Sequence, residues 1–318
     1  MTTDQMAQLS NYLTGSGFVV LWIAFFCHVA EWIAAHRIAA PAAVAAGSAG
    51  AESAGAVTTD DGEQAPPAPD RFVGVAVSLT GLAALLLIGS SVTRGLATQR
   101  APFGNMYEFG VTGTAIALSV YMILVWRAKI QWLGGVVLAV CLFILAMSIS
   151  TYTPAGPLVP ALNTFWKYIH VGSIMVAAAM FMVGGAASVL YLIKQRAEDR
   201  GSVGPVLSRF PAAARIDQFA FRFNAVGFPL WTFGALITGP IWAHLAWGRY
   251  WGWDPKEVWA LITWIVYAGY LHARVTAGWK GKRAAYLALV GFATFIFSYY
   301  VVNLMASEFG VFSQHTYA

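Results

Sequence analysis

Eight stretches of the chain are apolar over the thickness of a lipid bilayer: residues 17–36, 71–91, 107–126, 131–150, 169–193, 224–246, 256–275 and 284–304. A helix needs ~20 such residues to cross the hydrocarbon core. Hydrophobic residues make up 58% of the 318 and charged residues 10%, with a mean hydropathy of +0.64. Soluble domains carry about 25% charged residues, so too little charge remains here to coat a soluble surface. A soluble enzyme is excluded. The expected fold is all-α, a polytopic membrane protein with about eight transmembrane helices.

The net charge of +5 could point to nucleic acid, but in a membrane protein the sign of charge mainly sets orientation. No nucleic-acid partner is expected. Of the 19 Lys and Arg, 14 fall on the side that follows the first span. The other five, Arg94, Arg100, Lys167, Arg249 and Lys256, fall opposite. The first side is therefore read as cytoplasmic and both termini as external, in the cell membrane. The N-terminus shows neither the basic region nor the small-residue cleavage site of a removable signal, so the first span is read as retained. Residues 1–37 form that first helix. Residues 38–70 are Ala/Pro/Gly-rich, with five acids and no base, and read as a disordered cytoplasmic linker. Residues 71–318 carry the remaining seven helices. Cys27 and Cys141 lie in apolar runs and read as small core residues. Stretch 211–224 places Phe219 and Phe223 at i,i+4 beside Arg215 and Arg222, which suggests an amphipathic helix on the inner leaflet.

Six of the 13 tryptophans crowd into residues 242–264: Trp242, Trp247, Trp251, Trp253, Trp259 and Trp264. An interfacial aromatic belt is one explanation. It accounts for one or two residues per span end, and Trp259 and Trp264 lie deeper than a belt. The other explanation is an apolar platform for a large flat ligand, since indoles supply rigid stacking area. Asp254-Pro255-Lys256-Glu257 within this run reads as a helix start, with Asp at N-cap, Pro at N1 and Glu at N3. Asp254, Pro255 and Glu257 are accordingly assigned to shaping the loop.

The run WGWDPKEVWALITWIVYAGYLHAR resembles the WWD signature of haem-handling membrane proteins. Within that group it is similar to the CcsA family (also called CcsB) of system II cytochrome c biogenesis. The likeness continues through GFPLWTFGALITGPIWAHLAWGRYW upstream and GWKGKRAAYLALVGFATF downstream, about 110 contiguous residues in all. It implies a subunit of a cytochrome c synthase that carries haem b across the membrane. The haem is then presented for thioether attachment to C-x-x-C-H of an apocytochrome c. The alternatives are a haem exporter without ligation activity and a small-solute transporter. For the latter, no internal repeat of the usual kind is found. The implied partners are a ResB-type membrane subunit, apocytochrome c, a thioredoxin-like thiol reductant and the lipid bilayer.

The resemblance also sorts the histidines. A lone external histidine is more often a solvated side chain, but the family places one on each side of the WWD segment. His170 and His315 match those external iron ligands. His272, seventeen residues past Pro255 and so roughly 26 Å deeper along its helix, matches the inner transmembrane ligand, with Gly269 leaving room for a flat ring. His28 and Glu31, at i,i+3 inside span one, have no family role. They read as a buried stabilising pair, or alternatively as a haem contact. His36 reads as solvated and His244 as a local hydrogen-bonding residue. Arg249 and Lys256 are the candidate contacts for haem propionates, with Arg94 and Arg100 on the same side, although solvated loop charges remain the plainer reading.

Overall fold

The computed structural model describes residues 1–48, 71–157 and 164–303, with the side chains of 33–48 and 71 excepted. The described residues are helical without strands, as a chain of bilayer-length apolar runs requires. The helices are α1 (Thr3–Ser48), α2 (Arg71–Thr98), α3 (Met106–Ala128), α4 (Gly134–Ser150) and α5 (Phe165–Asp199). After the short α6 (Pro205–Ser208) come α7 (Ala213–Trp231), α8 (Gly239–Trp247), α9 (Pro255–Val275) and α10 (Lys282–Ile296). A π-helical turn at Thr232–Thr238 joins α7 to α8, and another at Phe297–Val301 follows α10.

Among the described residues, seven spans are long and apolar enough to cross a membrane. The eighth expected crossing, α9, has 21 residues but carries tryptophans, tyrosines and terminal charges where the others carry aliphatic side chains. Helix α1 runs to Ser48 and so reaches into the stretch assigned to a linker, whose remainder (49–70) lies outside the described residues.

One sequence expectation is corrected. Residues 213–224 are not a separate helix on the leaflet surface; they are the first turns of an unbroken span, Ala213–Trp247. Their amphipathic pattern comes from packing against protein. Ile216 and Ala220 are buried in the core, and Phe219 meets Phe223 at 4.5 Å and Trp132 at 5.5 Å between ring centroids. Arg274 near the end of α9 clamps Asp217 of α7 with contacts of 3.0 and 2.8 Å, so α7 and α9 are pinned at this end.

Helices α1 and α2 pair antiparallel: Ser10 Oγ bonds the Ser90 carbonyl at 3.0 Å and Thr14 Oγ1 lies 2.7 Å from Ser90 Oγ. Two buried clusters fill the bundle. The larger joins α1–α5 and α7 through residues such as Leu21, Leu87, Leu118, Leu138 and Ile216. The smaller joins α5, α7, α9 and α10, with Phe181 stacked on Tyr267 at 3.8 Å.

His28 is 1% exposed, packed against the start of α4. Its Nδ1 is 3.6 Å from Glu31 Oε2, and Glu31 Oε1 is 3.2 Å from the guanidinium of Arg209. A Cβ at Gly134 would lie 2.3 Å from His28 Nε2 and 2.6 Å from the Tyr121 hydroxyl. Gly134→Ala therefore overpacks this contact, at a cost of about 1–3 kcal/mol, and lowers the unfolding midpoint in detergent. Gly113→Ala, which meets open space, leaves the midpoint unchanged or raises it.

Candidate functional site

A cavity of about 480 Å³ opens at the end of the bundle that the charge pattern assigns to the external side. Its walls come from the start of α3, the segment after α4, the start of α5, the π turn with α8, the loop before α9 and the end of α10. The lining is largely apolar and includes the aromatic side chains Phe109, Trp231, Trp242, Tyr250, Trp251, Phe295 and Tyr299, with His170, Arg100, Lys167, Lys256 and Glu257 among its ionisable groups.

His170 is held from two directions. Its Nδ1 lies 2.8 Å from the Gly234 carbonyl, and its ring stacks on Trp242 with centroids 5.5 Å apart and planes 16° apart. A carbonyl can only accept, so Nδ1 carries a proton, and in the neutral ring the lone pair falls on Nε2. That is the arrangement a metal-ligating imidazole requires.

The Gly234 carbonyl belongs to the π turn. It accepts the Gly239 N–H in π register and the Thr238 hydroxyl at 2.9 Å. Pro240 follows without an amide hydrogen to give to the helix ladder, and the ladder widens just ahead of it. Single π turns of this kind recur at functional sites.

The loop ahead of α9 is fixed by its own caps. Asp254 Oδ1 accepts the Lys256 N–H at 3.0 Å, while Glu257 Oε2 accepts Gly252 N–H at 2.8 Å and Asp254 N–H at 3.1 Å. These bonds form a capping box, with Pro255 at the first helical turn. Trp253 in this loop has φ +56°, in the left-handed region.

The six tryptophans of 242–264 do not form one surface. Trp242 and Trp251 line the cavity, and Trp247 packs edge-on against Trp242 at 4.9 Å. Trp253 is 71% exposed at the rim. Trp259 lies against Phe297 at 4.0 Å, and Trp264 donates from Nε1 to Thr232 Oγ1 at 2.9 Å. The last two fasten α9 to its neighbours. Trp231, outside the run, lines the cavity and donates to the Ala260 carbonyl at 3.2 Å.

The other ligand candidates are spread out. His315 lies outside the described residues. His272 is exposed on α9, on the same helix face as Ile265 and Gly269, and a Cβ at Gly269 would meet nothing within 4 Å. His244 stacks on Tyr250 at 4.2 Å. The Arg249 guanidinium folds onto Gly252 and does not line the cavity, whereas Lys256 is part of that lining.

Sequence reasoning missed a buried ion cluster beside the cavity. Glu108 accepts from Arg94 Nε at 3.0 Å and from Arg100 at 2.6 and 3.2 Å, and its Oε2 also accepts the Gly104 N–H at 2.8 Å. Arg94 also donates to the Thr153 carbonyl and Arg100 to the Gly156 carbonyl, tying α2 and α3 to the segment after α4. A lone carboxylate at the head of the apolar run 107–126 was the available signal.

Replacing Glu257 by Ala removes the acceptor shared by the Gly252 and Asp254 amides. Hydrogen exchange of those two amides then rises about ten-fold, matching a loss of about 1.4 kcal/mol, with no change at Thr263 in the middle of α9.

Residues 104–309 match the family model described as Cytochrome C assembly protein. The cytochrome c biogenesis protein CcsA of Guillardia theta is 35% identical over 232 residues, covering 67% of this chain and 77% of that one. Its counterpart in Gloeobacter violaceus is 34% identical over 283 residues, covering 71% and 83%. Among solved structures, the cytochrome c haem lyase CcmF superposes with a TM-score of 0.60 at 15% identity. It matches 94% of this chain, which spans 47% of that structure's length, a likeness of fold. A match over most of the chain, the cavity included, places this multi-pass membrane protein in the cytochrome c assembly family.

Proposed function

We propose that this chain is the haem-handling subunit of a system II cytochrome c synthase in the cell membrane. It carries haem b from the cytoplasmic side and presents it outside to an apocytochrome c. The observation that carries the reading is His170, anchored through Nδ1 and stacked on an indole in the wall of a largely apolar cavity that seven aromatic side chains help to line. A neutral imidazole oriented in this way suits an iron that must be bound and later released.

In this reading His170 and His315 hold the iron externally, and Trp231, Trp242 and Trp251 set the plane of the ring. The exposed face of α9 around His272 and Gly269 serves the inner site, with a ResB-type subunit supplying the opposing ligand. No acid–base pair is required of the protein. Each substrate thiol adds across one haem vinyl group, so that a carbon–sulfur bond forms and the thiol proton ends on the neighbouring vinyl carbon. The thiols must arrive reduced, which calls for a thioredoxin-like reductant. The protein contributes positioning, holding vinyl and thiol in reacting geometry.

His170→Gly tests the assignment. The variant loses the Soret signature of the external site and falls at least about ten-fold in cytochrome c maturation, and added imidazole restores both. An unchanged spectrum together with unchanged maturation contradicts the ligand role.

A further inference from the structure

Among the described residues the charges beside the cavity do not balance. Arg94, Arg100 and Lys167 face a single described carboxylate, Glu108. The side chains of Arg94, Arg100 and Glu108 are 2%, 6% and 0% exposed, and Lys167 is 4% exposed. Burying uncompensated charge is costly unless a counter-charge arrives. Lys256 and Glu257, on the α9 side of the same cavity, bring one charge of each sign and leave the excess where it is.

The excess is aimed into the cavity. Arg100 and Lys167 are both lining residues. The Lys167 side chain makes no hydrogen bond or ion pair among the described residues, and Arg100 Nε and one terminal nitrogen of Arg94 are buried without a partner. Lys167 also sits in the first turn of α5, where the helix dipole already presents positive potential and disfavours a cation. The N-cap residue there, Thr164, makes no capping bond, and its Oγ1 is buried without a partner. A lysine in that position is stabilised by an anion brought from outside.

Resting on the haem reading above, we infer that Arg100 and Lys167, at the mouth of α5, form the receptor for the two carboxylates of the porphyrin. Two propionates match the excess of two positive charges, and an arginine beside a lysine suits carboxylate oxygens. The acidic edge of the ring is thereby fixed at the α3–α5 wall, and the opposite, vinyl-bearing edge is turned away from it. Lys167 is a positioning residue: it selects which edge of the ring reaches the incoming thiols. The same cationic corner would also accept a lipid phosphate, which the test separates.

The full chain in detergent is titrated with iron protoporphyrin IX and with its dimethyl ester, followed by the Soret band. The wild-type chain binds the free diacid at least about ten-fold more tightly than the ester. Lys167→Gln cuts the preference for the diacid over the ester several-fold without moving the Soret maximum, because iron ligation is untouched, and Lys167→Arg retains the preference. Equal affinities of the wild-type chain for the two porphyrins overturn the inference while leaving the haem reading intact, and they do so without any variant. Undiminished discrimination in Lys167→Gln overturns it as well. Equal affinities accompanied by loss of bound phosphatidylglycerol from Lys167→Gln give the corner to a lipid. A chain that takes up neither porphyrin contradicts the haem reading itself.

Discussion

The hydrogen bond between His170 and the Gly234 carbonyl joins two spans at the point where one of them leaves α register. In a membrane every backbone polar group must find an internal partner, and irregular backbone is tolerated only where protein surrounds it. The π turn at Thr232–Thr238 meets that demand with the Gly239 amide, the Thr238 hydroxyl and an imidazole from α5. The histidine is thus oriented by the same bond that completes the helix. Trp264, bonded to Thr232, and Trp231, bonded to Ala260, then tie α9 to this turn, so the cavity wall and the bundle depend on one another.

Charge does the same at the other wall. Glu108 gathers Arg94, Arg100 and the Gly104 amide into one buried cluster, and the two arginines reach on to carbonyls after α4. Burial of all three side chains strengthens such a network. It holds α2, α3 and the segment after α4 in register around the cavity mouth, and its surplus of positive charge is what an anionic guest would meet.

Much of this was legible in the sequence because it depends on local rules. Bilayer-length apolar runs mark the helices, and Asp254 and Glu257 spell out a capping box that is formed as written. What escaped depends on contacts across the fold. Spacing along 242–264 cannot distinguish Trp251, which faces the cavity, from Trp264, which faces Thr232. Trp231 lies outside the run and joins the wall only because α7 continues through the π turn into α8. The amphipathic pattern of 213–224 is the same whether lipid or Trp132 covers Phe219. Arg249 and Lys256 are equivalent as loop cations in the sequence, yet of the two only Lys256 lines the cavity, while Lys167 counts there only toward orientation because its significance lies in a side chain without a partner among the described residues.

The account makes His170 the first ligand of a haem held in the outward cavity. The most direct measurement is the position of iron in a density map of the chain loaded with haem. The account predicts iron at bonding distance from His170 Nε2, with the ring beside Trp242. Iron bound elsewhere, with the cavity around His170 empty of porphyrin, contradicts it.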